Sequence, residues 1–355
     1  MKAISYYGIQ NIRCEDKPVP QCGAGQVLIR IAYAGICGSD LHIYNKGMFI
    51  QNIPEIMGHE FSGTVAGTGA GVTSVKVGDK VTANPMVTCG ECVACRTGFP
   101  GSCSQLGFIG EVRPGAYAQY IVLPEKDVVA APNHADLKQL ALAEPLAVAL
   151  NICEKAALKE TDRILVIGPG PIGLLTILAA RAVYGVKDLT VMGRSKARLK
   201  LASQLGAKVI TGDSGGSPEP EPSDCTGNDR SESGSPDDIY SFYDVVIEAA
   251  GNSSAFNTAV SQVLPGGRVY VVSIFEDDFI FDINEIVAKQ ISVTGCNVYS
   301  SEHIRQAAEL IADGKVDVTP LISCVYKPEE CDDAFRALCS RDKKVAKILF
   351  EMEEK

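Results

Sequence analysis

The sequence predicts an α/β protein of two domains: a β-rich first part, then a doubly wound parallel sheet. Three observations carry this expectation. The length, 355 residues, suits two domains of ordinary size. Short β-branched runs broken by glycine fill the first ~140 residues. From residue 163 onward strands alternate with helices, and the motif "VIGPGPIG" stands at the first strand-to-helix junction.

In chain order, "QVLIRIAYAGI", "SGTVAGTGAGV" and "DKVTANPMV" read as strands separated by turns. Residues 135–158, "ADLKQLALAEPLAVALNICEKAAL", are helical in composition. "RILVIG" is a buried strand, "GLLTILAARAVYG" a helix, "LTVM" a strand and "SKARLKLASQLG" a helix. "AKVI", "YDVVIEAAG" and "GRVYVVSIF" continue the series, and the tail reads as helix, helix, strand. Residues 213–238 are rich in Ser, Gly, Pro and acid, lack periodicity, and are expected to form a flexible surface insertion.

Composition narrows the function. Apolar residues make up 46% of the chain, enough for a packed core, and no uninterrupted apolar run reaches 18 residues, so no membrane span is expected. The first residues lack a basic-then-apolar secretory pattern. A formal charge of −10 argues against a nucleic-acid partner. The 13 cysteines, four of them between residues 89 and 103, point to metal binding in a reducing, cytoplasmic setting rather than to a disulfide framework.

Gly168, Gly170 and Gly173 have the G-x-G-x-x-G spacing, after a strand at 164–167 and at the opening of a helix at 172–182. The first glycine allows the tight turn, the second lets backbone approach a pyrophosphate, and the third lets helix and strand pack closely. The helix N-terminus then offers amides and a positive dipole end to the phosphates. An acid that binds the adenosine ribose is expected about 20 residues further on. That count lands on Gly193, with Arg194 next. Glycine would remove repulsion of a 2′-phosphate and open space; Arg194 could pair with it, Ser195 could donate a hydroxyl, and Lys196 and Arg198 could add charge. The reading is NADP(H) in preference to NAD(H), against the alternative that Arg194 is an ordinary solvated cation. Pro171 and Ile172 in the cradle, and Ser273 near the end of "GRVYVVSIF", complete the expected cofactor-binding set.

Two metal constellations are visible. Cys89, Cys92, Cys95 and Cys103, at C-x2-C-x2-C-x7-C, can wrap one tetrahedral Zn²⁺ with no open position, with an iron–sulfur cluster as the chemical rival. Cys37 in "GICGSDLH", His59 and Glu60 in "MGHEFSG" and Glu144 in "LAEPLAVAL" form a dispersed set. One thiolate, one imidazole and one carboxylate from it would leave a coordination position open for water or substrate.

With "CGSDLH", "GHEFSGTVAGTGAGVTSVKVGDKV", the four-cysteine lobe, "AEPLAVAL" and "VIGPGPIG" together, the chain resembles the zinc-containing medium-chain dehydrogenase/reductase family, and most closely its polyol branch. The resemblance implies a GroES-like β-barrel catalytic domain at 1–150, completed by 290–355, and a Rossmann domain at 151–289, with the active site in the cleft. It implies Cys37, His59 and Glu60 on a catalytic zinc, with Glu144 as alternative ligand or holder of the zinc-bound water, and a structural zinc on the four cysteines. Ser39 and His42 resemble the family's hydroxyl-to-imidazole proton relay. Homo-dimers and homo-tetramers are common in the family.

The pocket wall implied by the resemblance, "IYNKGMFIQNIPEIM", offers Ile43, Tyr44, Met48, Phe49 and Ile50, with Lys46 its only cation. That disfavours a sugar phosphate. The stretch "TGCNVYS" lacks the arginine of sorbitol dehydrogenases. The leading expectation is a zinc- and NADP(H)-dependent oxidoreductase acting on a secondary alcohol or ketone. A polyol or ketose is the second reading, and a non-catalytic NADPH-binding protein is the alternative of another class.

Overall fold

The computed structural model describes residues 1–212, 242–339 and 345–353. The insertion expected at 213–238 lies outside the described residues. The chain divides into two compact units, Met1–Asn151 with Asn297–Lys355, and Ile152–Cys296.

The first unit is built on antiparallel β-structure. Its long central strand, Gln26–Gly35, alternates buried apolar with more exposed residues. Val27, Ile29 and Ile31 point into a core shared with Phe61, Tyr117, Phe335 and Phe350. Burying each such side chain contributes about 1.5–3 kcal/mol. Gln26–Gly35 pairs with Glu60–Thr68 on one side, so that Gly35 faces Glu60. The last strand, Lys347–Glu351, also pairs antiparallel with it, setting Leu349 against Gly35. Residues about 290 positions apart in sequence thereby meet at one end of the sheet.

The second unit is a six-stranded parallel sheet. Its spatial order is Lys208–Thr211, Asp188–Gly193, Arg163–Ile167, Tyr243–Glu248, Val263–Val271, Ser292–Gly295. In the sheet's own chain order this is 3-2-1-4-5-6, the Rossmann arrangement, with its switch point between Arg163–Ile167 and Tyr243–Glu248. The helices Pro171–Tyr184, Lys196–Gln204 and Ser253–Gln262 alternate with the strands. The fold class is the α/β arrangement expected from the alternation. The sequence reading assigns 290–296 to the catalytic domain. That misses Ser292–Gly295, which pairs in parallel register with Arg268–Val271. The strand is four residues long and mostly exposed, too short and too polar on its surface to show a clear β pattern.

Candidate active site

Four sulfurs lie together in the lobe at 89–103. A turn of helix, Val93–Arg96, and a short 3-10 turn, Pro100–Ser102, fold it back on itself. The Sγ atoms all lie within 4.8 Å of one another. Individual separations are 3.5 Å for Cys92–Cys95, 3.5 Å for Cys89–Cys103 and 4.0 Å for Cys89–Cys95. A tetrahedral zinc with bonds of about 2.3 Å has sulfur–sulfur edges of about 3.8 Å, so the lobe fits that ion. Backbone amides also point at the sulfurs: Cys92 N at Cys89, and Cys89 N and Gln105 N at Cys103. Amide donors from Cys95 and Ser104 lower the Cys92 pKa to about 6, the direction a thiolate ligand needs.

The dispersed set is organised differently. Among the described residues, the lobe is the only group of three or more His, Cys, Asp or Glu with such closely converging ligand atoms. Around His59 the candidate ligands also meet partners that the fold supplies. The ring's Nε2 lies 3.3 Å from Ser39 Oγ. Burial lowers the His59 pKa, but the Cys37 thiol and Asp40 carboxylate outweigh it and leave the pKa well above the usual value. Glu144 also acts on His59, more weakly.

Glu60 does not offer a free carboxylate. Both its oxygens accept from Lys347 Nζ, at 2.8 and 2.7 Å, and Lys347 also donates to Ile36 O. Both side chains are 1% exposed. Glu60, expected as a zinc ligand, is here held in a buried ion pair, because the last strand delivers an ammonium group against it. Glu144, at the start of helix Ala143–Lys155, accepts from the Tyr299 hydroxyl at 2.6 Å through Oε1. Burial and the nearby Glu60 raise its pKa to about 7. Asp40 is fully buried; its Oδ2 accepts from the Cys37 amide at 2.8 Å and the Tyr117 hydroxyl at 2.7 Å. Its Oδ1 and His59 Nδ1 have no hydrogen-bond partner and stand 4.0 Å apart. Asp40, Glu60, Glu144 and Glu111 are thus buried acids in one unit, with Lys347 as the buried cation among them. Burial pushes the pKa values of Asp40, Glu111 and Glu144 up; a divalent cation held by Cys37, His59 and Glu144 would favour the charged forms, so this acid-rich set beside a thiol and an imidazole fits such an ion.

Ser39 and His42 are three residues apart on helix Gly38–Lys46 and so lie on one face. The His42 ring meets Phe49 edge-on at 6.3 Å. Of the expected pocket wall, Ile43 and Tyr44 belong to the core; Tyr44 packs on Phe335 at 4.9 Å. The helix turns them inward, which a reading of the stretch as one wall overlooks. Met48, Phe49 and Ile50 follow the helix, and Phe49 is exposed.

In the second unit the cradle follows Arg163–Ile167. Gly168 has φ +109°, and a Cβ there would lie 2.6 Å from Ala249 O; a Cβ on Gly173 would meet the Gly168 carbonyl. Gly170 faces open space and is the N-cap of Pro171–Tyr184, which no side chain caps. First-turn amides, from Ile172 onward, are the groups that bind a pyrophosphate at such a terminus, so the cradle fits a dinucleotide.

Gly193 is corrected. It does not border open space: a Cβ there would lie 2.6 Å from Pro169 Cγ, with Cδ nearer still. Its glycine is required by packing against the cradle. Arg194 is exposed and has no hydrogen-bond or ion-pair partner among the described residues. Ser195 caps the helix Lys196–Gln204 by accepting from the Arg198 amide at 3.3 Å. Arg198 is partly buried, which lowers its pKa. The Ser273 hydroxyl is bound to the buried Glu248 carboxylate, which also accepts from the Ala250 and Gly251 amides at 2.8 Å each.

Sequence reasoning did not single out Asp40, Tyr117, Tyr299, Lys347 or Glu111. One signal was present: Lys347 interrupts the apolar strand "AKILF". No helix among the described residues is long and apolar enough to cross a membrane.

Comparison with known proteins agrees with this architecture. The family described as "Alcohol dehydrogenase GroES-like domain" matches residues 23–133, and "Zinc-binding dehydrogenase" matches 171–313. D-xylulose reductase A of Aspergillus oryzae is 32% identical over 334 residues, covering 92% of this chain and 90% of its own. The structure of 2R,3R-butanediol dehydrogenase from Bacillus subtilis superposes with a TM-score of 0.84 at 28% identity, covering 99% of both chains. A protein of Sinorhizobium meliloti, solved bound to NADP and titled as a zinc-binding dehydrogenase, reaches a TM-score of 0.86 at 27% identity, over 99% of this chain and 98% of that one. The chain belongs to the zinc-containing medium-chain dehydrogenase/reductase family, in its polyol branch.

Proposed function

We propose that this protein is a zinc-dependent oxidoreductase that moves a hydride between NADP(H) and the secondary alcohol of a polyol, or the ketone of the matching ketose. The observation that carries the reading is that half-buried Cys37 and buried Glu144 both act on buried His59, among buried acids, while Lys347 retains Glu60. The A. oryzae relative, named a D-xylulose reductase, supports a polyol or ketose over a simple secondary alcohol.

Cys37, His59 and Glu144 would hold the catalytic ion, and the four-cysteine lobe a second, structural one. The chemistry such an ion supplies is Lewis acidity, which favours loss of an alcohol proton near neutral pH. The protein's own groups do the rest. Ser39 Oγ receives the substrate proton, and His42, one turn along the same face, passes it toward solvent. Asp40, buried beside His59 Nδ1, favours the tautomer with hydrogen on that nitrogen. Lys347 Nζ holds both Glu60 oxygens, so this carboxylate does not compete for the ion.

Coenzyme choice rests on Arg194, exposed and unpaired at the end of Asp188–Gly193. Because a side chain at 193 collides with Pro169, a substitution there would confound packing with selectivity. Arg194→Ala is the cleaner test. KM for NADPH should rise about ten- to hundredfold, the loss of a charge-assisted pair, with NADH little affected. Equal changes for the two coenzymes would refute the phosphate-binding role. A screen of polyols, ketoses and mono-alcohols, read by NADPH absorbance, tests the substrate class.

A further inference from the structure

The turn "FIGEVRPG" carries a buried acid that the proposed chemistry does not use. Glu111 is 7% exposed. It follows Gly110, whose φ is +85°, and the Gly110 amide donates to Arg113 O at 2.7 Å. The turn is tied to the segment leading into His59 by Gly115 N to Ile56 O, 2.7 Å, and Ala116 N to Gly58 O, 2.8 Å. The Phe108 ring, three residues before Glu111, lies 5.7 Å from the His59 ring. These contacts set the turn beside His59, and His59 and Asp40 both act electrostatically on the Glu111 carboxylate. Burial raises its pKa, and His59 opposes that.

On its other flank, the Gln51 amide donates to Glu111 O at 3.0 Å, and Asn52 Nδ2 reaches Val112 O at 3.5 Å. The acid therefore stands between His59 and the segment that begins with Met48, Phe49 and Ile50. Yet among the described residues its carboxylate makes no ion pair and accepts no side-chain hydrogen bond; the Phe108 amide is the one hydrogen-bonding group acting on it. A buried carboxylate with so few partners is unfavourable on its own. Placed beside a reacting centre, it has an acceptor to offer.

We propose that Glu111 is a specificity residue, whose carboxylate accepts a hydrogen bond from a second substrate hydroxyl near the carbinol that reacts. This rests on the alcohol dehydrogenase reading above and deepens it. An apolar wall rejects a missing hydroxyl weakly, whereas a buried acceptor is left unpaired by an analogue that lacks it.

The test uses the full-length holoenzyme with xylitol and with 2-pentanol, a mono-alcohol of equal chain length. The readout is the ratio of the two kcat/KM values. Glu111→Gln and Glu111→Leu should each lower that ratio about ten- to hundredfold, chiefly through KM for xylitol. Because both rates come from the same preparation, partial loss of folded enzyme cancels, and Gln preserves the shape of the side chain. A wild-type preference for xylitol that persists within about twofold in both variants overturns the Glu111 assignment alone. A wild-type enzyme without that preference, or inactive on both, overturns the polyol reading and this inference with it.

Discussion

In the four-cysteine lobe every donor comes from one stretch of fifteen residues, and backbone amides of that stretch and of Gln105 just beyond it point at the sulfurs. Around His59 the donors come from residues 37, 59, 60 and 144, and their partners from 40, 117, 299 and 347. The first arrangement is closed and partly exposed; the second is buried apart from half-buried Cys37. The difference follows from charge. A set of thiolates near the surface is stabilised by water and by amides that local backbone supplies. Buried carboxylates need designated donors, and only distant strands and helices can bring a tyrosine hydroxyl or an ammonium group to them. The dispersed, buried set therefore draws on more of the chain than the local one.

The strongest way to break this comparison is to remove one sulfur from each site. Cys37→Ala should lower turnover on the order of a thousandfold or more, since Lewis acidity is worth several kcal/mol to the transition state. One zinc per chain should remain, and NADPH binding should be largely intact. Cys92→Ser should also cost one zinc, but its main effect should be a lower melting temperature, with turnover at 25 °C reduced on the order of tenfold or less. Initial rates and metal content on the same preparations separate the two. Equal losses of activity would mean that the lobe is not merely structural.

A smaller effect, on stability rather than rate, should come from Lys347→Met. It leaves Glu60 buried without its cation, and breaking such a pair costs about 3–5 kcal/mol. Urea unfolding measures it. Adding Glu60→Gln should return part of the loss, because no uncompensated charge is then buried. A loss below about 1 kcal/mol for Lys347→Met would show that water reaches Glu60 and that the pair resembles a surface one.

The same contrast explains what could be read from sequence. Alternating strand and helix patterns specify the parallel sheet, since each signal is local; the short exposed strand Ser292–Gly295 gave almost none. Cysteine spacing likewise writes the lobe into fifteen residues. Glu60 shows the limit. Its place beside His59 makes it a natural ligand on paper, and nothing nearby announces that Lys347 will take both its oxygens. Gly193 shows another. A missing acid suggests room for phosphate, but a Cβ at this position would meet the Pro169 ring, so packing alone already calls for glycine. Tyr299 and Glu111 were silent because each acts through a contact made by the fold. Long-range pairing of buried charge carries no spacing rule.

The finest test concerns one hydroxyl. Tyr299 donates to Glu144 Oε1 at 2.6 Å, and both groups are buried. Tyr299→Phe keeps the ring and its packing but leaves that oxygen short of a donor. A hydrogen bond to a charged group contributes about 1.5–3 kcal/mol. Losing a partner that orients a metal ligand typically weakens metal affinity about ten- to hundredfold. Release of zinc to a chelator should therefore become faster for one ion per chain and stay unchanged for the other. Unaltered release of both ions would remove Glu144 from the ligand set. It would leave Glu60, freed from Lys347, as the carboxylate to consider, and would make the buried ion pair a regulated contact rather than a fixed one.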